Sequence, residues 1–290
     1  MRSNILFAVV VISLLTAPLA ADPPVEALLS LHSEEAAAYK MWRDKGKQEK
    51  LELQSKPVFT WTNPVGEQVQ TGHIFIWTHE GRPEAIGTIF STPTKDMPKR
   101  VLIHEFHSLA TSQLFPETPS TSREKWTPQT GIVFRPIKEA PAVESSPTGR
   151  TRQLKALADS FRAKSIDQSD KTVRELRILP RPLARYETKG EVKDGVLFAF
   201  VSSDGTDPEV IIAIEARPPK TGGDPVWQGS IIRFSDKHLV VSRDDEVLFS
   251  SQENDTLRCR IEKNWDLLYV PDRTYMCYKS HLVPELPDRE

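Results

Sequence analysis

The stretch GHIFIWTHEGRPEAIGTIF, residues 72–90, decides the fold. Two runs rich in β-branched and aromatic residues flank a polar segment, HEGRPE, that carries glycine and proline. Such a pattern predicts an antiparallel hairpin of strands 69–78 and 84–91. The pattern returns downstream: GHIFIW (72–77) is matched by GVLFAF (195–200), and GRPEAIGTIF (81–90) by GTDPEVIIAIE (205–215) with one inserted residue. Upstream of each hairpin, LELQSKPVFTW (51–61) aligns with LRILPRPLARY (176–186), which sets Trp61 on Tyr186. Matches that keep their order point to an internal repeat.

A helical pattern precedes each half. Leu28, Leu31, Glu35, Ala38 and Trp42 share one face of the first, and Leu154, Leu157, Ala158 and Phe161 one face of the second, at the 3.6-residue period. Further strands are predicted over 57–62 and 100–108 in the first half, and over 174–187, 195–202, 209–217 and 226–235 in the second. HLVVSRDDEVLF (238–249) adds two more about an Asp-Asp turn. The expected fold class is α+β and predominantly β: two tandem helix-plus-antiparallel-sheet repeats of about four strands each, packed together because their strands are apolar on both faces. Repeat 1 covers 22–110 and repeat 2 covers 150–250. A proline-rich connecting loop runs over 111–149, and a C-terminal extension covers 251–290.

Arg2, the apolar run from Ile5 to Leu15, and Thr16-Ala17-Pro18-Leu19-Ala20-Ala21 form a secretory leader, with cleavage expected near Ala21 and export to the periplasm or the exterior. The run is too short for a membrane anchor, and no later segment is long and apolar enough to span a bilayer. Lys and Arg number 38 against 40 Asp and Glu, a formal charge of −2, which argues against a nucleic-acid partner. Twenty-three prolines favour short strands and ordered loops over long helices. The two cysteines, Cys259 and Cys277, are expected to form one disulfide in an exported chain, although reduced thiols remain an alternative. Asn254-Asp255-Thr256 has the glycosylation pattern, which matters only in a eukaryotic secretory path.

GRPEAIGTIFS (81–91), HEFHSLA (104–110), ELRILPRPLARYE (175–187) and GTDPEVIIAIEAR (205–217) resemble the signature segments of a family of secreted planctomycete-type bacterial proteins of uncharacterised activity. The resemblance spans roughly residues 56–235. It implies bacterial export and carries over no catalytic residue or cofactor.

VLIHEFHSLA (101–110) holds the densest set of potential catalytic or metal-binding groups. Strand alternation puts His104 and Phe106 on one face and Glu105 and His107 on the other. H-E-x-H also lacks the H-E-x-x-H spacing that sets two imidazoles on one helix face. A metal or acid–base site would therefore need Glu105 and His107 joined by His73 or His79 from a neighbouring strand; otherwise these residues are structural. Aligning the fourth strands sets His104, Glu105 and His107 against Ile232, Arg233 and Ser235, so the second half lacks these groups. Arg181, Arg185 and Tyr186 are candidate ligand-binding residues, since arginine clamps carboxylates and phosphates, but they equally suit a sheet edge. Asp204, Asp207 and Glu209 in SSDGTDPE read as turn residues rather than paired catalytic carboxylates. Trp61, Trp77, Trp126 and Trp227 read as core rather than as a sugar platform. No nucleophile elbow, P-loop, dinucleotide-binding glycine pattern or zinc cysteine framework occurs, and no cofactor is indicated.

The leading expectation is an exported, non-enzymatic binding or envelope-associated module. The alternatives are a metal-assisted hydrolase using Glu105 and His107 with His73 or His79, and a small-ligand carrier with its site between the repeats. A small-molecule or envelope partner is expected.

Overall fold

A computed structural model describes residues 25–63, 70–94, 97–122, 124–167, 171–219, 222–251, 267–269 and 272–286. The leader, Asn254-Asp255-Thr256 and Cys259 fall outside the described residues, so the expected Cys259–Cys277 disulfide has one half beyond them.

The elements run as follows. Helix α1 (Val25–Ala37) leads into β1 (Glu52–Leu53), β2 (Phe59–Asn63), β3 (Gln70–His79), β4 (Arg82–Pro93) and β5 (Lys99–Ser108). After β6 (Arg135–Pro136) come α2 (Pro147–Asp159), β7 (Phe161–Ile166), β8 (Val173–Ile178) and β9 (Ala184–Tyr186). Next are β10 (Asp194–Val201), β11 (Pro208–Arg217), β12 (Val226–Arg233), β13 (His238–Arg243) and β14 (Glu246–Ser250), followed by β15 (Leu267–Tyr269) and β16 (Tyr275–Pro284).

These strands make two antiparallel sheets, one of them curled into a half-barrel. The first orders β1-β3-β4-β5-β16-β15, with β2 also on β3; the second orders β14-β13-β7-β8-β10-β11-β12-β6, with β9 also on β10. The expected pair of helix-plus-four-strand repeats is therefore overturned. The protein is predominantly β, its two sheets have seven and nine strands among the described residues, and β16 from the C-terminal region sits beside β5. Pairing between strands so far apart is set by open sheet edges, which local periodicity does not encode.

Smaller departures have local causes. The run 174–187 is split into β8 and β9 around Pro180 and Pro182, which have no N–H for a ladder. Phe161 opens β7 instead of ending a helix, because Ser160 caps α2. Ala38 and Trp42 lie beyond α1. The segment 111–149 pairs with the chain after α1 through Lys40 and Glu117, buries Trp126, and adds β6 to the edge of β12.

Strand parity explains the layers. On β3, Phe75 and Trp77 face outward to α1, where they pack with Ala36, Tyr39, Ile89 and Phe106. Ile74 and Ile76 face inward and meet Leu197, Ala199, Ile211 and Ile232 of the second sheet. The outer face of the second sheet, with Phe198, Phe200, Ile212 and Ile214, takes the apolar side of α2 through Leu154, Leu157 and Ala158. Strands covered on both faces read as unbroken apolar runs, which is what 72–77 and 195–200 show. Helix α2 begins at Ser146, whose hydroxyl accepts from Gly149 N at 3.0 Å, with Pro147 in its first turn. Arg82 joins the sheets: buried, it pairs with Glu84 at 3.2 Å and with Glu215 of the second sheet at 3.0 Å. Among the described residues no helix is long and apolar enough to cross a membrane.

Candidate functional site

The layers separate the residues singled out in the sequence. His73 lies on the outer face with Phe75 and Trp77, whereas Glu105 and His107 lie on the inner face, opposite Phe106. The sheet itself stands between them, so His73, Glu105 and His107 cannot share an ion. His79, at the end of β3, faces Arg43, whose Nη1 is 3.1 Å from its Nδ1. Among the described residues no group of three or more His, Cys, Asp or Glu side chains is arranged to hold a metal.

The comparison of fourth strands also needs correction. His107 pairs with Ile86 and Ile232 with Ile211, while Glu105 pairs with Thr88 and Ser230 with Ala213. Taking Ile86 and Ile211 as equivalents, as the hairpin match does, sets His104, Glu105 and His107 on Gly229, Ser230 and Ile232. That register is three residues from the one read in the sequence. Strand patterns leave such slips open when both faces are buried.

Arg185 and Tyr186 serve the fold. Arg185 holds Asp194 through Nε at 2.9 Å and Nη2 at 2.7 Å, and Arg150 reaches the same carboxylate at 2.8 Å. Tyr186 donates to Glu215 at 2.7 Å. Arg181 is exposed. In SSDGTDPE, Asp204 pairs with Arg174 at 3.0 Å and Glu209 with Lys237 at 2.6 Å.

Glu105 lies behind, and His107 lines, the wall of a groove. It has a volume of about 900 Å³ and is bounded by β12, the segment around β6, the β13–β14 hairpin and the start of β16. Its apolar wall includes Ile137, Ile231 and Phe249, and its polar wall includes His107, Arg233, Asp272 and Tyr275. Behind the wall Tyr275 donates to Glu105 at 2.7 Å. Burial raises the Glu105 carboxyl well above the usual range, with Asp207 adding to it, and so favours the uncharged acid. His107 is pushed down to about 4 by burial. Its Nδ1–H donates to Ser108 O at 2.6 Å, which leaves Nε2 as the acceptor. Asp207 is raised to about 8, first by burial and then by Glu209.

Arg233 is the charged group of this wall. It is 6% exposed and lies over the Tyr275 ring, 5.2 Å from its centroid. Its Nε donates to Ser235 O at 2.7 Å and its Nη2 to Lys237 O at 2.8 Å, which leaves Nη1 over among the described residues. A buried guanidinium flanked by carbonyls rather than a carboxylate retains most of its charge for a ligand. Sequence reading used Arg233 only as an alignment partner. The available signal was an arginine ending the apolar run VWQGSIIRF.

The outer face holds a second polar cluster. His32 of α1 meets His73 Nδ1 to Nδ1 at 2.8 Å, so one ring donates and the other accepts. His104 Nδ1 lies 2.5 Å from Tyr39 OH and 3.3 Å from Tyr278 OH, and Ser122 donates to Tyr278 at 2.8 Å. Burial lowers His73 to about 4 and His104 to about 3, and His32 falls well below its ordinary value. His32 and Glu35, at i and i+3, put polar groups on the apolar stripe of α1, and Tyr39 follows just past its end. That was the one sequence signal for this cluster.

No family model, curated protein or solved structure matches this chain.

Proposed function

We propose that the protein is an exported binding module that holds a small organic anion in the groove beside β12. Its ligand is a carboxylate or phosphate with an apolar body. The observation that carries this reading is Arg233: buried, stacked on Tyr275, and paired with no carboxylate among the described residues. An unpaired buried charge is costly, and an anion entering the groove offsets that cost. Ile137, Ile231 and Phe249 supply apolar contact for the remainder of the ligand. Burial favours the uncharged acid at Glu105 and so weakens its competition for Arg233, and Asp272 on the same wall makes no ion pair with Arg233 among the described residues.

The leader sequence and the resemblance to secreted planctomycete-type proteins support export, to the periplasm or the exterior. The near-neutral charge does not favour a nucleic-acid partner. The hydrolase alternative, which needs His73 or His79 beside Glu105 and His107, is less well supported, because His73 lies on the opposite face and His79 faces Arg43.

The test is a fluorescence titration with 8-anilinonaphthalene-1-sulfonate, an anion with an aromatic body. Saturable binding to the folded chain is expected, weakened at least about tenfold, or about 1.4 kcal/mol, in Arg233→Met and less in Arg233→Lys. Affinity unchanged in Arg233→Met, or no saturable binding to the folded chain, would overturn the reading.

A further inference from the structure

On the other side of the first sheet, we propose that Glu35, His104 and His281 bind one divalent transition-metal ion of the zinc or cobalt class. Glu35 on α1 lies between the two imidazoles: Oε2 is 3.4 Å from His104 Nε2, and Oε1 is 3.4 Å from His281 Nε2. No hydrogen bond closes the first gap. Among the described residues Glu35 Oε2 and His104 Nε2 are both buried without a hydrogen-bond partner, and His104 is 0% exposed. Two buried polar atoms facing each other unsatisfied are expensive to leave so. A separation of 3.4 Å is also the spacing of two ligand atoms around a tetrahedral ion with bonds of about 2.0–2.1 Å.

The far side of each ring is already fixed. His104 Nδ1 is held by the Tyr39 and Tyr278 hydroxyls, and His281 Nδ1 is 3.0 Å from Ser280 Oγ. Metal-ligating histidines are oriented in this way, by a partner on the ring nitrogen away from the ion. Two neutral imidazoles and a carboxylate suit zinc, and water would complete the shell. As the side chains stand, no three such groups among the described residues are placed to hold a metal. The remaining movement falls to His281, whose side chain is 20% exposed and can turn inward. The same exposure, with Glu35 at 15%, gives the ion its entry.

The experiment is titration of the tag-free, metal-stripped chain with Co²⁺, followed by its visible d–d absorption, with Zn²⁺ competition and thermal unfolding in parallel. One equivalent of Co²⁺ is expected, displaced by Zn²⁺, with a raised Tm. Affinity should fall at least about tenfold in His281→Ala and in Glu35→Gln, and should be unchanged in His238→Ala on the second sheet. Both informative substitutions are at partly exposed positions, and a conservative His281→Asn variant guards against misfolding. Absence of saturable uptake, or uptake that Glu35→Gln and His281→Ala both leave intact, sinks the proposal. Because this readout does not involve the groove, it fails or succeeds independently of anion binding there.

Discussion

The first sheet and the second contain a three-strand frame in the same register and fill it with opposite chemistry. In β3–β4–β5, Gly72 lies under Trp61, whose Nε1 donates to Thr88 at 2.9 Å. In β10–β11–β12, Gly195 lies under Tyr186, whose hydroxyl reaches Glu215. The outer faces then diverge. Where the second sheet has Val196 beneath the apolar side of α2, the first has His73 bonded to a helical histidine. Strand pairing and aromatic-over-glycine packing evidently suffice for the frame, and the histidines are not needed to build it. Their burial therefore points to roles beyond the sheet.

The sharpest way to break the comparison is at the glycines. A Cβ at Gly72 would lie 2.3 Å from the Trp61 ring, and one at Gly195 would lie 2.4 Å from the Tyr186 ring. Gly72→Ala and Gly195→Ala should each destabilise by about 1–3 kcal/mol in urea unfolding, as overpacking does. Gly190→Ala, with open space around it but a φ of +87°, should cost about 1 kcal/mol or less. Equal, negligible losses at Gly72 and Gly195 would mean that the two frames are not held by their aromatics.

Next comes the histidine pair. His73→Val copies the second sheet but strands Nδ1 of His32, whose other ring nitrogen keeps Ser91, and should cost about 1–3 kcal/mol. His32→Leu with His73→Val removes both partners and should recover most of that loss. The acid response distinguishes this from a plain packing effect. His73 is depressed from 6.5 to about 4, so its contribution is complete above pH 6.5 and is lost as pH falls through about 4, by about 1.4 kcal/mol per unit. The double variant should flatten that limb of a stability-versus-pH curve. Near the groove the sign reverses. Asp207 is raised from 3.8 to about 8, so stability is complete below about 4 and is lost as pH rises toward 8. His73 on the first sheet and Asp207 just before β11 in the second thus oppose each other between about pH 4 and 6.5.

The smallest effect concerns turns. Glu80 and Gly81 close β3–β4 with φ of 48° and 85°, whereas Asp244 and Asp245 close β13–β14 with φ of 49° and 64°. Asp245→Gly brings the second turn toward the first and should add roughly 0.5 kcal/mol to stability. A loss there would show that the Asp245 side chain, rather than its backbone, shapes the hairpin.

Much of the frame was legible in the sequence. The runs 72–77 and 195–200, the turns at HEGRPE and Asp244-Asp245, and the match of Trp61 to Tyr186 all follow from residue type and period. What could not be read was which edges meet. Nothing local in Tyr275–Tyr278 says that these residues lie beside Glu105 and His107, and β7 hides in a run that also suits a helix end. The sites depended on that missing information. Glu105 and His107 were visible as chemistry, but their neighbours Tyr275 and Arg233, and the pairing of His104 with Glu35 and His281, arise from contacts across distant parts of the chain.

The seam between β5 and β16 has a temporal consequence. Glu105 and Tyr275, which bond across it, are 170 residues apart, and among the described residues the edge of β5 has no other strand partner on that side. During folding that edge must wait through the whole second sheet before it is covered, and non-local closures of this kind are slow. Refolding followed by hydrogen exchange should therefore protect the amides of β10–β11 before those of β5 and β16. Until then an apolar, unpaired edge is open to another copy of the chain, and dilution or a holding chaperone would be the natural safeguard.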